Sequence, residues 1–227
     1  MNNNVTDLLN TNHVKLLFSI FEKNSADIRL VGGCIRDKLM HREVKDIDTA
    51  TKIEPKEVLN LLENNNIEYD DFAIQYGSII SYPLNKKIQI TTLREDVNQL
   101  GRHTNVIYTT DWKKDAARRD FTFNALYLGG NNKLYDYYDG QSHLREKKIK
   151  FIGEIEDRIK EDYLRIYRYF RFLGLFEIPK VTLSDQKIVE KYIHESLSIL
   201  TNDVIRQEIL KMFNMPYTLN CFYSSHQ

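Results

Sequence analysis

The chain has 227 residues, of which 42% are apolar, and this content is enough to bury a core in one large or two small domains. Its 32 lysines and arginines balance 32 aspartates and glutamates, so a nucleic-acid partner requires a local basic patch rather than a positive charge over the whole molecule. The composition excludes a disordered tail, and no apolar run approaches the ~20 residues of a helix that crosses a bilayer.

The cysteines and the first residues predict a cytoplasmic protein without a membrane partner. Cys34 and Cys221 lie far apart in sequence, with neither metal-ligand spacing nor a disulfide framework, which fits a reducing compartment. The start, MNNNVTDLLN, lacks the basic and apolar regions of a signal peptide.

The first part of the chain alternates helical and strand-like segments, and its β-branched runs predict a mixed sheet. The polar segment LREDVNQLGRHTNV has no clear period and is interpreted as a loop. The predicted elements are a helix over 14–22, a strand over 28–31, a helix over 34–40, a strand at Asp46, a helix after Pro55, strands over 72–82 and 87–93, and a hairpin around the turn 129–132.

The pattern becomes helical from Glu154 to Phe213, interrupted by Gly174 and Pro179, with an N-cap region at Thr201. The sequence therefore predicts an α+β protein with two domains. Residues 1–150 form a head with a mixed β-sheet flanked by helices, and residues 151–227 form a small all-α domain.

Two aspartates shortly after a pair of glycines predict a site for a metal-bound triphosphate. Alternating residues of a strand point to the same face, so Asp46 and Asp48 aim two carboxylates at one point, while Ile47 turns toward the core. Hard oxygen ligands of this kind suit Mg²⁺, which takes one or two carboxylates together with substrate phosphates.

Gly32 and Gly33 let backbone N–H groups approach an anion before a helix begins, and Arg36 lies one turn into that helix. We expect these three residues to bind phosphate. A Gly-Gly pair alone is more often an ordinary turn, and exposed acidic residues usually face only water, so the prediction depends on the combination.

Two further segments carry charged residues in front of, or within, apolar patterns. RRDFTFNAL places Arg119, which suits phosphate, beside Asp120, which can accept from a ribose hydroxyl; the alternative is a solvated helix start. EDYLRIYRYFRF spaces four charged residues three apart on one helix, where they either read a nucleotide base and its phosphates or form internal salt bridges. These four are Asp162, Arg165, Arg168 and Arg171.

These three segments, in this order, resemble the tRNA nucleotidyltransferase and bacterial poly(A) polymerase family, specifically the class II CCA-adding enzymes. LVGGCIRDKL…DIDTAT is similar to the family's metal and triphosphate motif, RRDFTFNAL to its ribose motif, and EDYLRIYRYFRF to its base-selecting helix. ITTLRED, GRH, TTDWKKDAARRD and LYDYYDG extend the similarity. The resemblance implies a polymerase-beta-like nucleotidyltransferase head followed by a helical neck.

The resemblance also implies an activity: template-independent addition of C and A from CTP and ATP to the 3′ end of tRNA, with release of pyrophosphate. Asp46 and Asp48 would bind Mg²⁺, and Gly33 and Arg36 the triphosphate. The remaining implied roles are the sugar and phosphate region for Arg119 and Asp120, selection of cytosine or adenine by Asp162 and Arg165, and orientation of Arg165 by Glu161.

Four alternatives stay open from the sequence. Addition of CC only or of A only, or poly(A) polymerase activity, would use the same motifs, and a non-catalytic nucleotide- or RNA-binding remnant is a further reading. Gln89, Leu100 and Val204 depart from the family pattern, since relatives commonly place an acid, an aspartate and an arginine there. Relatives also continue into a long helical body and tail, so we expect weak RNA affinity, or affinity supplied by a partner chain or self-association.

Overall fold

The computed structural model describes residues 5–100 and 103–222, with backbone alone for 97–100 and 103–105. The chain divides into two compact units. The first comprises Met1–Val97, Val106–Arg119 and Phe123–Gly140, and the second comprises Asn98–Asn105, Asp120–Thr122 and Gln141–Gln227. Residues 141–150 thus group with the second unit, and the domain boundary at residue 150 stays a prediction.

The strands of the described residues are β1 Ile28–Val31, β2 Ile47–Thr51, β3 Tyr69–Asp70, β4 Ser78–Ser81, β5 Ile88–Thr92, β6 Arg94–Leu100, β7 His103–Tyr108, β8 Leu126–Gly129 and β9 Leu134–Asp136. The helices are α1 Asn12–Lys23, α2 Gly33–Leu39, α3 Pro55–Asn64, α4 Trp112–Ala117, α5 Gly140–Arg145, α6 Ile155–Glu161, α7 Leu164–Leu173, α8 Leu183–Lys191, α9 Ile193–Ile199 and α10 Asn202–Phe213. Short 3₁₀ segments cover Val5–Asn10, Ile74–Tyr76, Pro83–Asn85, Thr122–Asn124 and Thr218–Cys221.

Seven of the described strands form one mixed sheet in the order β3-β4-β5-β2-β1-β8-β9. β1 pairs antiparallel with both β2 and β8, whereas β2 pairs parallel with β5. One face of this sheet packs on the apolar core of the first unit, because Leu30, Ile88 and Ile90 join buried side chains of α1, α2 and α3 there. Ile47 packs against the same core. Since side chains alternate along a strand, Asp48 on β2 and Tyr127 on β8 project from the opposite face.

Aromatic packing organises the second unit. The backbone of Phe121 forms an antiparallel bridge with Phe151, and their rings lie 4.6 Å apart between centroids. Phe172 of α7 meets the Phe121 ring edge-on at 5.2 Å, and Tyr169 stacks on Phe151 at 5.9 Å. Edge-to-face and offset contacts of this kind add to the burial of the rings themselves. This cluster fixes the side of α7 that carries Tyr169 and Phe172.

The structure confirms most of the predicted elements. The helix over 14–22 is α1, the strand over 28–31 is β1, the helix after Pro55 is α3, and the glycine-rich turn joins β8 to β9 as a hairpin. Thr201 directly precedes α10, and Gly174 is the C-cap of α7. Both cysteines are free and buried, and burial raises the pKa of the Cys34 thiol to about 12, as expected for an inert thiol.

Two predictions about the strands were wrong. The supposed loop over 93–106 contains β6 and β7, which form a two-stranded sheet. The sequence of this ribbon is mostly polar and has no apolar alternation, so it resembles a loop. The strand predicted over 72–82 is β4 alone, because Phe72 is exposed and the 3₁₀ segment Ile74–Tyr76 intervenes. None of the helices in the described part of the chain has the length and apolar character that crossing a bilayer requires.

We predict that Glu208 on α10 stabilises the second unit. Its carboxylate is buried, 3.2 Å from Arg171 Nε on α7 and 2.7 Å from Lys211 Nζ, so truncation removes a buried charge that both cations contact. Glu208→Ala is expected to lower the free energy of unfolding by about 2 kcal/mol, measured by urea denaturation. The matched control is Gln207→Ala, one position earlier and exposed, which should change it by less than about 0.5 kcal/mol. Equal effects of the two substitutions would contradict this prediction.

Candidate active site

The turn after β1 requires glycine at position 32. Gly32 has a φ of +77°, a conformation that side chains disfavour, and its N–H donates to Leu126 O at 3.0 Å. A Cβ there would lie 3.4 Å from Asn124 O and 3.5 Å from Arg119 Nη1. Gly33 follows as the first residue of α2, and a Cβ on it would approach Arg36 Nη2 at 3.5 Å. The two glycines therefore form a backbone corner with two guanidinium groups close by.

The two predicted metal ligands lie at the start of β2. Asp46 is exposed and directly precedes the strand, and Asp48 is its second residue and half-buried. The expectation that both acids belong to the strand is thus wrong for Asp46, which is the residue directly before it. Among the described residues, neither carboxylate has a hydrogen bond or salt bridge to another side chain. Two neighbouring carboxylates without side-chain partners are suited to an external cation.

Burial and four charged neighbours shift the pKa of Asp48. Burial raises the pKa of this carboxyl group, and the negative charge of Asp46 raises it further. Arg119 opposes that shift most strongly, followed by Lys87 and Arg36. Lys87 precedes β5 as Asp46 precedes β2, and the parallel register pairs the first residues of these strands. Asp48 is therefore an acid held partly out of water, with one acidic and three basic neighbours.

The donor set fits Mg²⁺. Asp46 and Asp48 provide hard carboxylate oxygens, and within residues 5–100 and 103–222 no group of three or more acidic, histidine or cysteine side chains is arranged to hold a metal. Mg²⁺ seldom uses a complete protein cage and is usually bound by one or two carboxylates with water and substrate phosphate. Two carboxylates beside basic residues match that mode of binding.

Arg36 is fixed from two sides. Its Nε and Nη2 donate to the two carboxylate oxygens of Asp37 at 3.0 and 2.9 Å, and its Nη1 donates to Asn124 Oδ1 at 2.6 Å. A guanidinium held by two partners loses little conformational entropy when an anion approaches. Asn124, which the sequence did not identify, thus orients one of the predicted phosphate ligands.

Arg119 belongs to a buried network that the sequence also did not identify. Its Nη2 donates to Asp115 Oδ2 at 3.2 Å and its Nε to Tyr127 Oη at 3.1 Å. Although burial alone would lower it, the pKa of Arg119 is raised because Tyr127 and Asp115 stabilise the charged form. The spacing of Asp115 to Arg118 and Arg119, three and four residues along a helix, is the signal that would have indicated an ion pair.

Asp120 lies in the second unit, where it is paired with Arg168. The Arg168 guanidinium donates to Asp120 Oδ2, and Asp120 Oδ1 accepts from Phe121 N at 2.8 Å. Burial alone would lower the pKa of Arg168, but Asp120 raises it. The structure therefore brings together two residues that the sequence had assigned to the sugar and the phosphates separately.

Asp162 is not part of the helix that carries the three arginines, which corrects the expectation of one continuous helix. α6 ends at Glu161, Asp162 has extended backbone angles, and its Oδ1 accepts from Leu164 N at 3.0 Å at the start of α7. Arg165 is buried, and its Nη1 donates to Glu161 Oε2 and Arg158 O, both at 2.7 Å. Glu161 thus contacts Arg165 as the resemblance implies, across a break between two helices.

Arg171 contacts a different acid from Arg165 and Arg168: its Nε lies 3.2 Å from the buried carboxylate of Glu208 on α10. Of the departures from the family pattern, Gln89 pairs with Asp48 in register and donates from Nε2 to Ser78 Oγ at 2.9 Å, so an amide occupies the position beside the acids. Val204 is half-buried in α10. The Leu100 and His103 side chains, and all of Gly101 and Arg102, lie outside the described residues.

Comparison with known proteins matches these residues to one family. A family profile described as "Poly A polymerase head domain" matches residues 28–150. The chain is 42% identical over 159 residues to "CCA tRNA nucleotidyltransferase 1, mitochondrial" of Danio rerio, covering 70% of this chain and 37% of that protein. It is 32% identical over 193 residues to the CCA-adding enzyme of Lactobacillus delbrueckii subsp. bulgaricus, covering 84% of this chain and 47% of that one. The chain thus spans less than half the length of these relatives.

Solved structures share the fold. The Bacillus stearothermophilus CCA-adding enzyme in complex with CTP superposes with a TM-score of 0.81 at 23% identity, over 92% of this chain and 50% of that chain. A tRNA nucleotidyltransferase complexed with a primer tRNA and an incoming ATP analog gives 0.74 at 23% identity, over 90% and 58%. Because the profile covers more than half of the chain, including both glycines, both aspartates and Arg119, the chain belongs to the poly(A) polymerase head-domain family of class II tRNA nucleotidyltransferases.

Proposed function

We propose that this chain is an Mg²⁺-dependent nucleotidyltransferase that adds C and A from CTP and ATP to the 3′ end of tRNA and releases pyrophosphate. The observation that carries the proposal is the position of Asp48 beside Asp46 and in the charge field of Arg119, Lys87 and Arg36. That arrangement combines cation ligands with compensation for phosphate charge. The family relatives are named for CCA addition, and related structures contain CTP, an ATP analog or tRNA.

The first unit binds and orients the triphosphate in this proposal. Gly32 and Gly33 leave room for phosphate oxygens against the backbone, while Arg36 and Arg119 offset their charge. Asp46 and Asp48 would hold Mg²⁺, which supplies Lewis acidity toward the phosphates and the attacking 3′-hydroxyl. No nucleophile of the protein is needed, because the RNA itself provides the attacking oxygen.

The second unit selects the base. Arg165 is held by Glu161 and the Arg158 carbonyl, so its guanidinium presents donors in a fixed direction. Asp162 lies three residues earlier, where it offers acceptors, and Asp120 with Arg168 would contact the sugar and phosphates. Side chains that hydrogen-bond a base edge reject a base with the wrong pattern, because buried polar groups then lose their partners. Such selection requires no nucleic-acid template.

Several finer points belong to the same proposal. The division into a head over 1–150 and a neck over 151–227, the use of Mg²⁺ and ATP, and a cytoplasmic location follow from the sequence prediction. The Danio rerio relative is named as mitochondrial, so the compartment needs its own test by cell fractionation. RNA binding that depends on a partner chain or on self-association is a further expectation, which titration of labelled tRNA into the purified chain would test.

The deciding experiment supplies purified chain with tRNAs that end before CCA, after C and after CC, together with each labelled nucleotide. CCA addition predicts two C residues and then one A, from CTP and ATP alone and only with Mg²⁺. Incorporation that stops after CC, that begins only on the CC end, or that continues as a run of A would identify the corresponding alternative. Binding of CTP without any extension would support the non-catalytic reading.

Asp48→Asn should lower Mg²⁺-dependent incorporation by more than about a hundredfold, since loss of a ligand costs more than the 10–100-fold typical of residues that only orient a ligand. Asp71→Asn is the matched control, because it changes an exposed aspartate of the same unit and should retain activity. The initial rate at saturating CTP measures the effect. Equal rates for the two variants would overturn the catalytic role of Asp48.

Asp48→Asn should also stabilise the metal-free protein at neutral pH. The pKa of Asp48 is raised above the ordinary 3.8 by burial and by Asp46, so the ionised carboxylate destabilises the folded state at pH 7, whereas asparagine is neutral. The gain in melting temperature should shrink as pH falls through the raised pKa, and vanish below 3.8. Adding Mg²⁺ with CTP should stabilise the wild type more than the variant. A variant that melts below the wild type at pH 7 would contradict this account.

Arg165→Ala should reduce base discrimination. We expect the preference for CTP and ATP over UTP and GTP, measured as the ratio of kcat/KM values, to fall by about tenfold or more. Glu161→Gln should shift the ratio in the same direction, because Glu161 holds the Arg165 guanidinium. Arg206→Ala is the control, since Arg206 is exposed on α10. Discrimination that survives Arg165→Ala would assign base selection to other residues.

A further inference from the structure

Arg119 is held against the sheet by two buried groups that come from different elements. Asp115 lies on α4 and is buried, and Tyr127 lies on β8 and is also buried. The hydroxyl of Tyr127 donates to Asp115 Oδ2 at 2.7 Å and accepts from Arg119 Nε at 3.1 Å. Arg119 Nη2 closes the triangle on the same Asp115 oxygen at 3.2 Å. One aspartate and one tyrosine thus hold two nitrogens of this guanidinium.

The ring of Tyr127 is itself fixed. Trp112 meets it edge-on at 5.3 Å between centroids, and Tyr137 does so at 6.0 Å. Tyr127 also pairs with Val31, the residue directly before Gly32, in the register of β1 with β8. The strand that carries the tyrosine and the strand that ends in the glycine corner are therefore hydrogen-bonded neighbours. A side chain fixed in this way presents its hydroxyl with little freedom, as orientation of a charged group requires.

Asp115 supplies the charge balance. It accepts from Arg118 Nε at 2.8 Å as well as from Arg119, so this buried carboxylate contacts two adjacent arginines. Burial alone would raise the pKa of Asp115, yet Arg118 and Arg119 hold it well below the ordinary range, so the group is ionised at neutral pH.

The network directs Arg119 toward the predicted triphosphate. Its Nη1 lies 3.5 Å from the position that a Cβ on Gly32 would take, and Arg119 is the cation that acts most strongly on Asp48. We propose that Tyr127 and Asp115 are positioning residues that hold Arg119 at the corner formed by Gly32 and Asp48, where it binds the triphosphate. This inference rests on the proposed function.

Mutating a network that only stabilised the fold would have different effects from mutating one that positions Arg119. A positioning role concerns the triphosphate that CTP and ATP share, so weakening it should raise the KM for both nucleotides by the same factor and change kcat less. It should leave the preference between bases intact, because the predicted base-reading residues lie in the second unit. The effect of weakening the network should also depend on the presence of Arg119. A structural role would lower stability without these signatures.

The test is Tyr127→Phe, which removes one hydroxyl and keeps the ring. We expect the Kd for CTP and for ATP, measured by calorimetry with Mg²⁺ and without RNA, to rise by about tenfold, which is typical for a hydrogen bond to a charged group. The matched control is Tyr137→Phe. Its hydroxyl accepts from Arg29 Nη1 at 3.3 Å and its ring also packs on Tyr127, so it removes an arginine contact outside the site. The control should bind both nucleotides like the wild type.

The second half of the test is a double-mutant cycle with Arg119→Lys, which keeps the charge but cannot reproduce the guanidinium fork. If Tyr127 acts through Arg119, then Tyr127→Phe should change the Kd by less than about twofold in the Arg119→Lys background. Additive effects, or a Tyr127→Phe variant that binds like Tyr137→Phe, would overturn the inference. A wild-type chain that binds CTP but extends no RNA would refute the proposed function, and the double-mutant cycle could still be measured by binding. A wild-type chain that binds neither nucleotide would overturn the proposed function and this inference together.

Discussion

The pairing of β1 with β2 on one side and with β8 on the other is the constraint on which the candidate active site depends. Its registers join Leu30 to Thr49 and Val31 to Tyr127, so the glycine corner at the end of β1 lies between the strand of Asp48 and the strand of Tyr127. Because side chains alternate along a strand, a shift of one residue would turn Asp48 into the apolar core and Ile47 out of it. The apolar core that fixes this register therefore also decides that Asp48 lies on the face of the sheet opposite the core.

Two aspartates of the first unit have opposite pKa shifts because their surroundings differ. Asp115 is buried among two arginines and a tyrosine hydroxyl, which keep its pKa below the ordinary value. Asp48 is also partly buried, but among the described residues its carboxylate has no side-chain hydrogen bond, and its pKa is raised. The first contributes stability at neutral pH, whereas the ionised form of the second costs stability in the metal-free protein. Such a cost is expected at the site proposed for the substrate with its metal.

Local sequence predicted β1, α1, α3 and the β8–β9 hairpin because each has an apolar period or a turn residue of its own. It also identified Gly32, Asp46 and Asp48 as candidates, since a glycine corner and a pair of acids are visible within one segment. Asn124 and Tyr127 were not identified because their importance lies in contacts between elements, whereas Asp115 was missed although its spacing to Arg118 and Arg119 is visible within one segment. A tyrosine in an apolar strand looks like core until the arginine that it contacts is known. The β6–β7 ribbon was not predicted because its mostly polar sequence has no apolar alternation.

The arginines of α7 show why equal spacing in sequence does not imply an equal role. A step of three residues turns an α-helix by about 60° short of a full turn, so Arg165 and Arg171 differ in direction by about 120°. Each of the three meets a different acid: Arg165 contacts Glu161 at the end of the preceding helix, Arg168 contacts Asp120, and Arg171 contacts Glu208 on α10. A single ligand cannot engage all three in the same way. Arg165 follows Asp162 across the helix break and is held by Glu161, so base selection is proposed for Arg165. The contact of Arg171 with Glu208 instead belongs to the packing of α7 on α10.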